Sequence, residues 1–161
     1  MALTSGDYTS DIRKLSEKFY HDYPASTFPE IERKRNRGYE LLLIDTHGDY
    51  FICVPFRSHI KHGNAYLFNH SVRSQTMRSG LDYSKICIVR NPDYIDDGPA
   101  VIDQDEYNEM RDCLDNIVNA VCRYVEDYIA YEKGNVVMSK TQYKKRYRYS
   151  TLPYFHPELG L

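Results

Sequence analysis

The sequence predicts an α+β domain in which a twisted, mostly antiparallel sheet packs against one long helix and shorter flanking helices. Two observations carry this prediction. Four short apolar runs are bounded by turn residues, as the strands of an antiparallel sheet are. A long apolar stripe with helical spacing follows them, and it is too apolar to remain in contact with water. A chain of 161 residues fits one domain, and we expect residues 1–161 to form it.

Three segments have helical patterns. The first covers residues 9–21, where apolar residues share one face. The second covers residues 103–134 and begins with a predicted capping pair, Asp103 and Glu106. The third is a short basic helix that opens with a capping box at Ser139.

The predicted strands alternate with turn signals. They are residues 39–44, 50–54, 66–68 and 86–89, and residues 100–102 are a short fifth candidate. Pro55 follows the second strand, and we expect it to end the ladder so that the polar residues after it project from the sheet.

The net charge is −2, but acidic and basic residues are concentrated in separate segments of the chain. No acidic residue occurs between Asp49 and Asp82, the stretch from Asp93 to Asp115 is strongly acidic, and the chain becomes basic again after Lys133. Two basic segments in a nearly neutral chain favour a partner with a negatively charged backbone.

Other features narrow the class of protein. The four cysteines have no CxxC pairing and are expected to be buried thiols in a reducing, cytoplasmic environment, without a disulfide. The sequence contains no signal peptide pattern and no apolar stretch of membrane-spanning length. Sixteen tyrosines suit surfaces that stack on bases and donate hydrogen bonds.

The segment after Pro55 has the residue types that RNA cleavage by its own 2′-hydroxyl needs. Histidine can act as base or acid, and arginine, lysine and serine can hold the oxygens of the phosphorane. The candidate catalytic residues are Arg57, Ser58, His59, Lys61 and His62, which we expect to line one pocket, and Arg37 and Tyr39, one of which we expect to border it. No cluster of Asp and Glu accompanies them, so we expect no metal and no other cofactor.

Simpler interpretations of this segment stay open. Two histidines and a lysine are also found in ordinary solvated loops. His59 and His62 have the spacing of a zinc pair, but no third ligand lies nearby in the sequence.

Two further basic runs are candidate RNA contacts. The first contains Arg33, Lys34 and Arg35, followed by Arg37 and Tyr39, which we expect near the sheet edge beside the Ser58 loop. The second interleaves cations with aromatic rings, a combination that serves backbone charge and base stacking together. Its candidates are Lys140, Lys144, Lys145, Arg146, Tyr147 and Arg148, with Tyr147 or Tyr149 available to stack on a base. Alternatively, the first run is a solvated face and the second a helix that covers the acidic stretch.

From the predicted first helix to Ile102 the chain resembles the toxins of type III toxin–antitoxin systems, the ToxN, CptN and TenpN branches, and TenpN most. The resemblance lies in the order of elements: helix, proline-containing connection, basic run, strand, turn at His47-Gly48, strand, then the run from Pro55 to Ser58. Residues 81–89 resemble the strand that follows the active-site loop in that family.

This resemblance implies a twisted sheet of the Kid/MazF type. It implies a metal-independent endoribonuclease that leaves a 2′,3′-cyclic phosphate on cellular or phage RNA. It also implies inhibition by an RNA antitoxin, a repeated pseudoknot, in closed toxin–RNA complexes.

By position, Ser58 matches the loop serine of the family, and Arg57 stands where a threonine is usual. The family lysine comes two residues after the serine, whereas Lys61 comes three after Ser58. The acid/base role is therefore open among His59, Lys61 and His62. Two other functions also remain: a non-catalytic RNA-binding module, and a MazF-like toxin held by an acidic protein antitoxin.

Overall fold

The computed structural model describes residues 2–34 and 39–161. Its strands form one sheet and are β1 (Thr9–Lys14), β2 (Glu40–Asp45), β3 (Phe51–Arg57), β4 (Ala65–Leu67), β5 (Gly80–Asp82) and β6 (Cys87–Val89). Its helices are α1 (Glu17–Asp22), α2 (Ser74–Met77), α3 (Gln104–Asp112), α4 (Leu114–Glu132), α5 (Lys140–Tyr147) and α6 (His156–Leu159). Three short 3₁₀ turns cover Tyr83–Lys85, Pro92–Tyr94 and Leu152–Phe155.

The strand order is β1-β2-β3-β5-β4, and every pairing is antiparallel. The α+β class and the antiparallel sheet are therefore confirmed. β3 is the central strand, because β2 pairs with one of its edges while β5 and β6 share the other.

Strands β5 and β6 pair with the same edge of β3, but the pairing is interrupted between them. Phe56 pairs with Leu81 and Cys53 with Cys87, so two residues of β3 face five residues of the other chain segment. The extra residues leave the sheet as the 3₁₀ turn, and Pro55 lies opposite them. Because proline cannot donate to a ladder, it is tolerated where the neighbouring strand departs. The prediction that Pro55 ends the strand is wrong, since β3 continues to Arg57.

The predicted first helix is wrong over its first half. Residues 9–14 form β1, which pairs with β2 from Thr9↔Asp45 to Lys14↔Glu40. The helix begins only after Ser16, whose hydroxyl accepts a hydrogen bond from the Phe19 amide. Pairing with a core strand outweighed a weak helical pattern, as tertiary context often does.

Other boundaries also differ from expectation. Residues 100–102 form no strand, and the short β5 was not predicted. The predicted long helix is divided at Cys113 into α3 and α4. Asp103 makes no side-chain cap, because its carboxylate instead pairs with Arg73 at 3.0 Å. The predicted capping box at Ser139 is confirmed, with Gln142 as its partner.

The core lies between the sheet and α4. Buried residues of both belong to one apolar cluster, and α4 contributes Ile117, Val118, Val121, Cys122, Tyr124, Val125 and Tyr128. α5 then packs on α4, because the buried Tyr147 hydroxyl donates to the Tyr124 carbonyl at 2.7 Å.

The four cysteines are free; Cys53, Cys87 and Cys122 are buried, and burial raises the pKa of the Cys122 thiol to about 11. Within the described residues no helix is long and apolar enough to cross a membrane.

Two buried carboxylates of α3 hold the segment that joins β4 to β5. Glu109 accepts hydrogen bonds from the Tyr66 hydroxyl at 2.7 Å and from the His70 amide at 2.8 Å. Glu106 accepts from the hydroxyls of Ser71 at 2.9 Å and Ser79 at 2.6 Å. Two residues of the acidic stretch therefore stabilise the loop between β4 and β5.

Replacing Glu109 should destabilise the fold. Glu109→Ala leaves the Tyr66 hydroxyl and two backbone amides without their acceptor, which should lower the free energy of unfolding by about 2 kcal/mol. Urea unfolding measures this change. Asp112→Ala is the matched control, because the Asp112 side chain on the same helix is 74% exposed and should cost less than about 0.5 kcal/mol. Equal effects of the two substitutions would contradict the anchoring role of Glu109.

Candidate functional site

The carboxylate of Asp82 is the centre of a buried network of polar side chains at the end of β5. Asp82 is completely buried at the point where β5 turns into the 3₁₀ turn. Its Oδ2 accepts a hydrogen bond from Arg57 Nη1 at 2.5 Å. Its Oδ1 accepts from the amide and the hydroxyl of Ser84 at 3.0 and 2.6 Å, and lies 3.2 Å from His62 Nε2. Burying a carboxylate is costly unless hydrogen-bond donors and cations such as these surround it.

These contacts fix the tautomer of His62. Its Nδ1 accepts a hydrogen bond from the Asn64 amide at 3.1 Å, so the lone pair of the ring is on Nδ1. Nε2 then carries the proton and faces Asp82. Ser84 Oγ lies 3.3 Å from the same Nε2. This is not the arrangement of a serine nucleophile, in which the serine and the carboxylate contact opposite nitrogens of the histidine.

Arg57 is held as a cation between two carboxylates. Its Nη2 lies 3.2 Å from Glu32, in addition to the contact with Asp82. Burial of the guanidinium works against its charge, but the hydrogen bond to Asp82 and the nearby carboxylates outweigh burial and raise the pKa of Arg57 above its ordinary value. Arg57 therefore forms ion pairs within the protein and holds Asp82 and Glu32 in position.

One cavity, here called the basic cleft, has a volume of about 860 Å³. One wall is the loop of residues 61–64 and the other is α5 with the residues that follow it. Its lining residues are Lys61, His62, Gly63, Asn64, Ser84, Gln142, Lys144, Lys145, Arg146, Arg148 and Tyr149. Both basic segments therefore meet in one cavity, although about eighty residues separate them in the sequence.

The charge of the basic cleft has one sign. Five of its lining residues are lysine or arginine, and none is Asp or Glu. Arg146 pairs with Asp127 at 2.8 Å. Among the described residues, no carboxylate lies within salt-bridge distance of Lys61, Lys144, Lys145 or Arg148. A concave surface with several unpaired cations attracts a polyanion.

The two walls of the cleft are joined directly. Asn64 Nδ2 donates to the Arg146 carbonyl at 3.1 Å, which ties the loop to the end of α5. Below them, the Thr151 amide donates to the Ser84 carbonyl at 3.0 Å, which ties the chain after α5 to the 3₁₀ turn. The cleft is therefore built on the same turn that carries Asp82.

A second cavity, here called the polar pocket, has a volume of about 490 Å³. It contains the other half of the predicted catalytic set together with carboxylates. Its lining residues are Lys34, Tyr39, Glu40, Phe56, Arg57, Ser58, His59, Arg73, Val101, Ile102, Asp103 and Glu106.

The predicted residues therefore divide between two cavities, and the expectation of one common pocket is wrong. Ser58 and His59 line the polar pocket, while Lys61 and His62 line the basic cleft. Ile60 causes the division, because its side chain is only 1% exposed and anchors the loop between the two pairs. Tyr39 borders the polar pocket, on the side of Ser58, as predicted.

The backbone at His59 is strained. Its φ of 59° is in the left-handed region, and its amide donates to the Met77 carbonyl at 2.6 Å. Such conformations persist where surrounding contacts enforce them, and they occur often at binding sites. Here the enforced turn directs the chain from the polar pocket to the basic cleft.

The basic run before β2 has a mainly internal role where the structure describes it. Arg33 donates to the Tyr23 carbonyl at 2.7 Å, and Lys34 pairs with Glu40 at 3.0 Å. Arg35 and Arg37 lie outside the described residues. Neither Arg33 nor Lys34 lines the basic cleft.

The C-terminal basic segment is largely available to a ligand. Its cations do not pair with the acidic stretch, since the one salt bridge in the described part of this segment joins Arg146 to Asp127. Lys140 is exposed at the start of α5 but does not line the cleft. Tyr147 is 5% exposed and packs against α4, so it is not available to stack on a base, contrary to expectation. Tyr149, at 58% exposure, is available.

Sequence reasoning did not identify several residues of the site. Asp82 was missed, because its neighbours Leu81, Tyr83, Ser84 and Lys85 are a mixture of apolar and polar residues that does not mark it as buried. Asn64, Ser84 and Gln142 likewise have no signal in the sequence, because only the fold brings them together. Within residues 2–34 and 39–161, no group of three or more His, Cys, Asp or Glu side chains is arranged to hold a metal ion.

The Asp82–Arg57 pair should show strong energetic coupling. Asp82→Asn leaves Arg57 beside a neutral amide and should lower the free energy of unfolding by about 3 kcal/mol, as breaking a buried pair does. The double variant Asp82→Asn, Arg57→Met removes both charges and should cost at least about 1 kcal/mol less than the sum of the single variants. Urea unfolding of all three measures the difference. Simple additivity would contradict the pairing.

Compared with known proteins, the chain matches no family model, no curated protein and no solved structure. A function must therefore be argued from the geometry and charge of the basic cleft and the polar pocket.

Proposed function

We propose that this protein is a metal-independent endoribonuclease that binds RNA in the basic cleft and cuts it by attack of a 2′-hydroxyl. We further propose that it is the toxin of a type III toxin–antitoxin system, acting in the cytoplasm and restrained by an RNA antitoxin. A Kid/MazF-like core is part of the same proposal.

One observation carries the proposal. The loop with Lys61 and His62 and the segment with Lys144, Lys145 and Arg148 form the walls of one cavity with no acidic lining residue. Phosphates of a nucleic acid backbone match such a surface, because each cation that binds a phosphate releases a condensed counterion.

The reaction requires two proton transfers. The 2′-oxygen attacks the adjacent phosphorus and loses its proton to a base while the new P–O2′ bond forms. The P–O5′ bond breaks, and the leaving 5′-oxygen takes a proton from an acid. The products are a 2′,3′-cyclic phosphate and a 5′-hydroxyl, with no water consumed. The extra negative charge of the phosphorane is stabilised by nearby cations.

The cleft offers a group for each part of this reaction. His62 Nδ1 carries the lone pair and is the proposed base, while Asp82 holds the ring through Nε2 and stabilises the imidazolium that forms. The ammonium of Lys61 is the proposed acid and also neutralises the phosphorane. For the base to act, the RNA must displace the contact between Nδ1 and the Asn64 amide.

That contact supports the second candidate, a non-catalytic RNA-binding module. If the Asn64 amide stays on Nδ1, both nitrogens of His62 are occupied and the ring serves only to shape the loop. The two candidates differ in the fate of the RNA, which is cut with a cyclic phosphate end by the enzyme and recovered unchanged from the module.

The proposed antitoxin is a repeated RNA pseudoknot that covers the same cleft in a closed toxin–RNA complex. RNase treatment of the purified complex should release active toxin. Release by protease, with RNase having no effect, would indicate a protein antitoxin of the kind that restrains MazF. A short tandem DNA repeat directly upstream of the gene is expected for the RNA antitoxin.

Cleavage should persist in excess EDTA and yield cyclic phosphate ends. Lys61→Ala and His62→Gln should each reduce the rate by about 10²- to 10⁴-fold, the usual contribution of a general acid or base. The His62→Gln side chain can still donate to Asp82 but cannot accept the proton, so the fold is preserved. Labelled RNA separated by size, with end-group analysis, measures both. Loss of cleavage in EDTA that returns with added metal would contradict the mechanism, and uncut RNA would favour the module.

Binding of RNA should depend on the C-terminal wall of the cleft. The triple variant Lys144→Ala, Lys145→Ala, Arg148→Ala should weaken binding and reduce the slope of log K against log salt by about two, as the loss of three phosphate contacts to a single strand implies. The charge-matched control is Arg111→Ala, Arg123→Ala, Lys133→Ala, which removes three exposed cations outside the cleft. Equal weakening by both variants would mean that only net charge matters.

A further inference from the structure

Tyr149 differs from the other tyrosines of the chain. Tyr107 and Tyr149 are the exposed tyrosines of the described chain, and only Tyr149 lines the basic cleft. The residue is 58% exposed, and the guanidinium of Arg148 lies over its ring, 5.1 Å from the centroid. An aromatic ring beside cations is the usual platform for a nucleobase.

The backbone of Tyr149 is fixed from beneath by a buried cation. Lys85 Nζ donates to the Tyr149 carbonyl at 2.9 Å and to Glu30 at 2.6 Å, and Lys85 is only 8% exposed. Two residues further on, Thr151 is completely buried and its amide donates to the Ser84 carbonyl at 3.0 Å.

These anchors fix the backbone that carries the ring before a ligand arrives. A tyrosine on a free chain would lose backbone entropy when a base stacks on it, whereas the backbone of Tyr149 has already lost that freedom on folding.

We propose that Tyr149, positioned by Lys85, stacks on an unpaired base and makes the basic cleft selective for single-stranded RNA. This inference rests on the proposed binding of RNA in the cleft. Bases in a duplex are stacked on one another and cannot reach the ring, so a double strand gains only the phosphate contacts. An unpaired nucleotide gains stacking as well.

Binding of a non-cleavable oligonucleotide tests the inference with the full chain. The probe is a 2′-O-methyl RNA of about eight nucleotides, within the usual site size for single strands, containing 2-aminopurine, whose fluorescence falls on stacking. It is offered alone and paired with its complement. Tyr149→Ala should weaken single-strand binding by about tenfold and remove the fluorescence decrease, and Tyr149→Phe should restore both.

The other variants distinguish stacking from a general surface effect. Tyr107→Ala is the matched control, because Tyr107 is also exposed and has a guanidinium, that of Arg111, 6.0 Å from its ring centroid; it should bind like the unaltered protein. Lys85→Met should reduce the fluorescence decrease while the salt slope stays the same. Duplex binding should be unaffected by Tyr149→Ala.

Three results would overturn the inference. If the protein binds the single strand and Tyr149→Ala leaves the affinity and the fluorescence unchanged, Tyr149 is not a platform, although the proposed RNA cleft survives. If Tyr149→Ala weakens single strand and duplex equally, the cleft has no strand selectivity. If the unaltered protein binds neither at low salt, the proposed function fails together with the inference.

Discussion

The buried carboxylate of Asp82 is the interaction on which the rest of the site depends. It lies where the neighbour of β3 leaves the sheet, and it joins a residue of each cavity, Arg57 of the polar pocket and His62 of the basic cleft. A buried carboxylate needs hydrogen-bonding or cationic partners, because leaving it unpaired costs about 3 kcal/mol of stability. This cost keeps Arg57, His62 and Ser84 in their places around Asp82. The 3₁₀ turn that carries Asp82 also anchors the chain beyond α5 through Ser84.

The distribution of charge follows from how the carboxylates are used. Glu106 and Glu109 of α3 are consumed by hydrogen bonds that fix the loop between β4 and β5. In the described residues the salt bridge of α5 joins Arg146 to Asp127 of α4, and Lys144, Lys145 and Arg148 remain free to act on a ligand. A nearly neutral protein can in this way present a cavity of one sign, which is what attraction of a polyanion requires.

The sequence predicted the parts of the fold that depend on local pattern. The hairpin of β2 and β3, the apolar stripe of α4 and the capping box of α5 follow from periodicity and from capping chemistry, and the structure has all three. β1 was predicted as a helix, because its residues acquire strand structure by pairing with β2. β5 is three residues long and has almost no pattern of its own.

The site was predictable only in part for the same reason. The residue types of the loop from Arg57 to His62 predicted acid/base catalysis. Local sequence does not reveal that Ile60 is buried, so that the residues before it line one cavity and those after it line another. The meeting of that loop with α5 is a long-range contact, through Asn64 and Arg146. Tyr147 and Tyr149 are equivalent in the sequence, and only packing on α4 separates the buried ring from the exposed one.

In the proposed function, the two basic segments form one surface for RNA. Titration of the isotope-labelled protein with a non-cleavable single-stranded RNA, followed by backbone amide chemical shifts, shows which residues the RNA contacts. We expect the amides of residues 61–64 and 142–149 to shift together, with one affinity. Shifts confined to one segment, or centred on a different face of the molecule, would contradict it.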